Sequence, residues 1–172
     1  MTPPLANRPL HWTQARLLKQ SFDLSDGDTP LGTLVFRSSL GTFATARLGN
    51  GCWTMKRLGF LRTRVEIRAC ESDTAVATFH NNTWSGGGTL ALATGPELRA
   101  NTNFWHSRFE FVDAEGQSLV RYTIGGVMKA SGEMEITTAG AALPDIAWIA
   151  MLGWYLVVMM RNDSAVAAAA AG

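Results

Sequence analysis

The strongest constraint on this chain lies near its C-terminus, where the fifteen residues from Ile146 to Met160 are apolar on every side and carry no charge. Leu143-Pro144-Asp145 supplies a proline and an acid where a helix begins, and Arg161 a cation where one suits its end, so the segment reads as a helix over about 144–161. A helix with no polar face must be surrounded by protein or by lipid. At about 1.5 Å per residue it spans roughly 22 Å, short of the roughly 30 Å core of a bilayer, which favours burial within the protein over a tail anchor. Inside it, Ala147, Ala150 and Gly153 form a strip of small side chains along which another element can approach closely.

Upstream, from Leu10 to Ile136, the chain repeats a different unit: a short strand, a tight polar turn, and another strand. Phe22-Asp23-Leu24 leads through Ser25-Asp26-Gly27-Asp28 to Leu31–Phe36, and Thr45–Leu48 leads through Gly49-Asn50-Gly51 to Trp53–Lys56. Val65-Glu66-Ile67 and Phe109-Glu110-Phe111 begin two further hairpins of the same kind. Gly and Asn accept the positive φ of tight hairpins, and Asp bonds its own backbone there. The count predicts about ten to twelve antiparallel strands, and so many consecutive hairpins leave two open edges unless the sheet closes on itself. Side-chain alternation then sorts the faces: Val65 and Ile67 inward, Arg64, Glu66 and Arg68 outward.

The expected fold is therefore mainly β, a closed antiparallel barrel of about twelve strands enclosing one apolar C-terminal helix. Residues 1–8 read as a flexible N-terminal segment, 9–163 as a single barrel domain, and 164–172 as an Ala-rich tail able to fray. Charged residues are only 17% of the chain and the net charge is +1, so global charge announces no nucleic-acid partner. The first residues lack a secretory apolar stretch, which points to a cytoplasmic protein and to free thiols at Cys52 and Cys70. The two cysteines would approach one another across a hairpin in one register but not in the next, so no disulfide is assigned.

Hairpins followed by one wholly apolar helix resemble the layout of the tubby C-terminal-like superfamily, which includes tubby proteins, LURP-one-related proteins and phospholipid scramblases. The similarity runs from about Leu10 to Arg161 and is carried by Phe22-Asp23-Leu24-Ser25-Asp26-Gly27, Phe111-Val112-Asp113-Ala114-Glu115-Gly116 and the terminal helix. The resemblance implies a roughly twelve-stranded barrel around the helix and an association with membrane lipid. The chain lacks the calcium loop, Cys-rich cluster and long Pro-rich arm of scramblases.

The main functional candidate is the basic run containing Lys56, Arg57, Arg62, Arg64 and Arg68. If Leu61–Ala69 is extended, Arg62, Arg64 and Arg68 share a face, and Lys56 or Arg57 comes near through the preceding turn. Such a cluster suits phosphate, because the arginine fork binds its oxygens in pairs. The same residues also read as a solvated strand face neutralised in part by Glu66. A second candidate is a rim or pocket formed by His80, Trp84, Trp105 and His106, with Trp and His beside Asn at strand ends. Such residues serve equally to cap a barrel mouth.

His11, His80 and His106 lie far apart, two lone cysteines make no zinc spacing, and neither a Gly-x-Ser-x-Gly elbow nor a His-Glu-x-x-His motif occurs. The sequence thus points to a non-enzymatic, monomeric module without cofactor or metal. Its expected partner is anionic membrane lipid at the inner face of the membrane, with no nucleic acid; the alternatives are a protein-interaction module of unknown partner and a small-ligand carrier.

Overall fold

A computed structural model describes residues 5–82, 87–103 and 105–172. The hairpin series becomes twelve strands. In chain order they are β1 (Leu10–Arg16), β2 (Lys19–Asp26), β3 (Thr29–Phe36), β4 (Ala44–Leu48), β5 (Gly51–Leu58) and β6 (Arg64–Ala69). There follow β7 (Ala75–Asn81), β8 (Gly88–Leu92), β9 (Leu98–Thr102), β10 (Arg108–Val112), β11 (Ser118–Gly125) and β12 (Ser131–Ile136). Every strand pairs antiparallel with its sequence neighbours, and β1 closes the ring on β12 from Leu10↔Met134 to Thr13↔Ser131. Closure leaves no free edge, as the hairpin count required.

After β12 a short helix α1 (Thr138–Ala141) turns the chain, capped by the Thr137 hydroxyl, which accepts from the Gly140 N–H at 3.0 Å. Helix α2 (Ile146–Ala171) then threads the barrel. Its residues Trp148–Met159 are buried, so protein rather than lipid surrounds the apolar segment. The inward residues of the strands meet it: Trp12 stacks on Trp154 with centroids 5.4 Å apart, Phe36 stacks on Tyr155 at 5.4 Å, and Phe22 meets Trp154 edge-on. Gly153 sits where a Cβ would collide with the Tyr122 ring and hydroxyl. That gap lets the buried Tyr122 hydroxyl donate to the Ala150 carbonyl at 2.6 Å. Two members of the small-residue strip thus admit a strand side chain.

The threading gives the barrel two unlike ends. At the entry end lie the turns β2–β3, β4–β5, β6–β7, β8–β9 and β10–β11, and at the mouth, where α2 emerges, lie β1–β2, β3–β4, β5–β6, β7–β8, β9–β10 and β11–β12.

Four expectations are revised. Cys52 and Cys70 are joined in a disulfide, with Cα atoms 5.4 Å apart, because the β5–β6 register pairs Trp53 with Ala69 and leaves the cysteines facing at the entry end. Residues 6–8 are tied down rather than loose: the Asn7 N–H donates to the Ile136 carbonyl at 2.7 Å, and Arg8 pairs with Asp26. Helix α2 runs on through the Ala-rich stretch to Ala171, so Arg161 is not at its end. The strand expected over Leu61–Ala69 begins only at Arg64, the preceding residues forming a bend after Gly59, whose φ is +88°.

Candidate functional site

Strand parity divides the basic run. On β5 and β6 the inward positions are Met55, Val65 and Ile67, and Arg57 shares their side of the sheet. Its guanidinium turns to the helix where α2 leaves the barrel, and its two terminal nitrogens donate to the two carboxylate oxygens of Asp163 at 2.7 and 3.1 Å. That hydrogen-bonded carboxylate raises the Arg57 pKa. Arg57 is therefore a structural clamp and stands apart from the outward cations.

Lys56, Arg64 and Arg68 do face outward, around Glu66. Glu66 accepts from Arg68 at 2.8 Å and lies 3.8 Å from Arg64. Arg68 and Lys56 line a shallow depression that also holds Glu71 and Asp73, so opposing charge surrounds them. Arg62 and Arg64 have a different setting. With His80, which pairs opposite Arg64 across β6–β7, they line a groove completed by Thr63, Asn81, Asn82 and Thr89. Among the described residues no carboxylate lines this groove. The Asn81 amide donates to the Thr63 hydroxyl and steadies its floor.

The rim candidates disperse. Trp84 lies outside the described residues. Trp105 and His106 occupy the β9–β10 connection, which Asn103 organises: its side-chain oxygen accepts from the Ser107 and Arg108 N–H groups at 2.9 and 3.0 Å. His106 takes a positive φ of 52° in that turn, and Trp105 is 81% exposed at its tip. His80 belongs to the arginine groove.

Three residues outside the candidate sites shape the mouth. The buried Gln14 donates to the carbonyls of Leu17 and Lys19 and accepts from the Ala130 N–H, tying β1–β2 to β11–β12. Arg161 donates to the carbonyls of Gly126 and Val127, each at 2.7 Å, and so holds β11–β12 against the emerging helix. Tyr155 donates to the Thr42 carbonyl at 2.6 Å and fixes β3–β4. The pairing of β1 with β2 shifts register between Gln14 and Arg16, where the Gln14 side chain replaces ladder contacts. Beside the clamp, a cavity of about 190 Å³ lined by Phe79, Phe109, Leu156, Met159 and Asp163 opens at the mouth. Among the described residues there is no group of His, Cys, Asp and Glu able to hold a metal, and no helix long and apolar enough to cross a membrane.

The fold so defined is a closed twelve-stranded antiparallel barrel filled by its own C-terminal helix. It is similar to the X-ray structure of a protein from Arabidopsis thaliana, AT5G01750, with a TM-score of 0.56 at 13% sequence identity over 93% of this chain and 94% of that one. No family model matches the sequence, and no curated protein does. The likeness is one of fold.

Proposed function

We propose that this protein is a non-enzymatic, tubby-like barrel module that binds anionic phospholipid headgroups on its outer surface, through the groove of Arg62, Arg64 and His80. The observation that carries the reading is the composition of that groove: two guanidinium groups, an imidazole, and hydroxyl and amide groups, with no carboxylate among the described residues of the lining. Paired N–H donors of arginine match phosphate oxygens, and hydroxyl and amide donors satisfy those that remain. A barrel filled by its helix favours the outer surface over the interior as the place to hold a ligand. The tubby-like layout supports the same direction.

The reading narrows the basic run. Arg62 and Arg64 are the phosphate contacts, Arg64 keeping only the longer 3.8 Å contact with Glu66, Lys56 and Arg68 are flanking cations partly neutralised by acids, and Arg57 holds the helix. Flotation with vesicles of phosphatidylcholine and phosphatidylserine tests this. Replacing Arg62 and Arg64 by Ala is expected to weaken binding by about tenfold to thirtyfold, at about 1 kcal/mol per cation. Binding unchanged by that pair of substitutions would remove the groove from the reading, and a chain that ignores anionic vesicles would favour a protein-interaction module instead.

A further inference from the structure

The two ends of the barrel differ in charge and in polarity, and we infer that the mouth is a membrane-docking face that seats apolar loop tips among the lipids of an anionic bilayer. This rests on the headgroup reading above and adds the orientation of the barrel and its anchoring side chains.

The entry-end turns hold Asp28, Glu71, Asp73, Glu97, Asp113 and Glu115 and no Lys or Arg. The connections at the mouth hold Arg37, Arg62 and Lys129 and no Asp or Glu. Apolar exposure follows the same axis. Leu18, Leu40, Phe60, Leu61, Trp105 and Val127 are 80–98% exposed, and they sit on five different connections, all at the mouth. Leu17 and Met128 lie beside two of them. The remaining exposed large apolar side chains among the described residues are Val35, one residue from the mouth end of β3, and Val166, on α2 beyond the mouth. None belongs to the entry end.

Leucine and phenylalanine at turn tips contribute nothing to a core, and their collection at one end of a molecule with an otherwise alternating surface calls for a partner. The tips are spread around a ring and separated by polar turn residues, whereas a protein partner needs a contiguous apolar centre. A bilayer interface can receive all of them together. Charge favours an anionic bilayer: the connections at the mouth carry cations and no acids, Asp163 of the emerging helix is paired with Arg57, and the carboxylates of the opposite end point away, so the field orients the barrel before contact. Arg62 lies next to Phe60 and Leu61 in one connection, which puts the phosphate groove at headgroup level when those tips are buried. Beyond Arg161, α2 continues outward for ten residues, roughly 15 Å, with an Ala-rich surface.

Co-sedimentation of the full chain with phosphatidylcholine vesicles, with and without phosphatidylserine, tests the docking face against a Phe60→Ser, Leu61→Ser variant. Salt-sensitive binding to the anionic vesicles is expected, falling about tenfold or more in the variant. The thermal unfolding of the variant should match the unaltered protein, since both side chains are exposed. In a Phe60→Trp variant, lipids brominated along the acyl chain should quench fluorescence beyond the quenching seen with the unaltered chain. If the unaltered chain ignores both vesicles, the headgroup reading and the docking face fall together. If it binds anionic vesicles while the serine variant binds equally well and the tryptophan at position 60 is not quenched, the docking face alone is overturned. A lipid-free dimer that the serine variant dissolves would also overturn it, by assigning the tips to a second copy.

Discussion

Arg57 and Asp163, 106 residues apart in sequence, close a two-point ion pair at the barrel mouth, one from the end of β5 and the other from the part of α2 that has left the core. Together with Arg161 on the carbonyls of Gly126 and Val127, this pair sets where the buried helix stops and the exposed helix starts. Asp163 is more than half exposed, so the pair adds little to global stability. An Asp163→Ala variant should lose at most about 1 kcal/mol while hydrogen exchange accelerates across residues 161–171 and not across 148–159. Uniform acceleration along the whole helix would refute the clamp.

Gly153 and Tyr122 offer a sharper test of helix burial. A methyl group at position 153 has no space beside the Tyr122 hydroxyl, so Gly153→Ala should destabilise the fold by about 1–3 kcal/mol although alanine favours helix. Tyr122→Phe, which leaves the Ala150 carbonyl without the tyrosine hydroxyl, should cost about 1 kcal/mol. Denaturant titration gives both values. If Gly153→Ala proves stabilising, the helix face has been misplaced.

The two tyrosines also set an alkaline limit. Burial raises the Tyr122 pKa well above the ordinary 10.0, and burial raises that of Tyr155 as well. Because the folded values lie above the unfolded one, their contribution is complete below about pH 10 and is lost as pH rises from there toward the folded values. Each tyrosine that ionises only when unfolded removes about 1.4 kcal/mol per pH unit in that window. Phenolate absorbance followed against pH should therefore appear together with loss of the native circular dichroism. Phenolate formation in a chain that stays folded would contradict the burial.

The Cys52–Cys70 bond closes a loop with a sequence separation of 18 residues across β5 and β6, next to the entry end. Reduction should lower stability by about 2–4 kcal/mol, mainly through the unfolded chain. Thiol counting on protein unfolded without reductant should find none, and a Cys52→Ser variant should match the reduced protein rather than the oxidised one. Such bonds persist in oxidising surroundings, which sets the disulfide against the cytoplasmic placement suggested by the N-terminal residues.

Much of this molecule was legible along the chain. Turn chemistry at Asp26-Gly27-Asp28 and Gly49-Asn50-Gly51 placed the strand ends, period-two alternation at Val65 and Ile67 separated the core face from the outer one, and a segment with no polar face at Ile146–Met160 demanded enclosure. These are local signals, each set by a few neighbouring residues. The basic run was visible too, but not its division: Arg57 and Arg62 look alike in sequence, and only the start of β6 at Arg64 and the exit point of α2 turn one to Asp163 and the other to the groove. Register decided the disulfide, since a one-residue slip would have carried Cys52 away from Cys70. The unlike ends of the barrel belong to the same class. An antiparallel meander sends alternate turns to opposite ends, so acids and apolar tips that are interleaved along the sequence are sorted in space only when the ring closes around its helix.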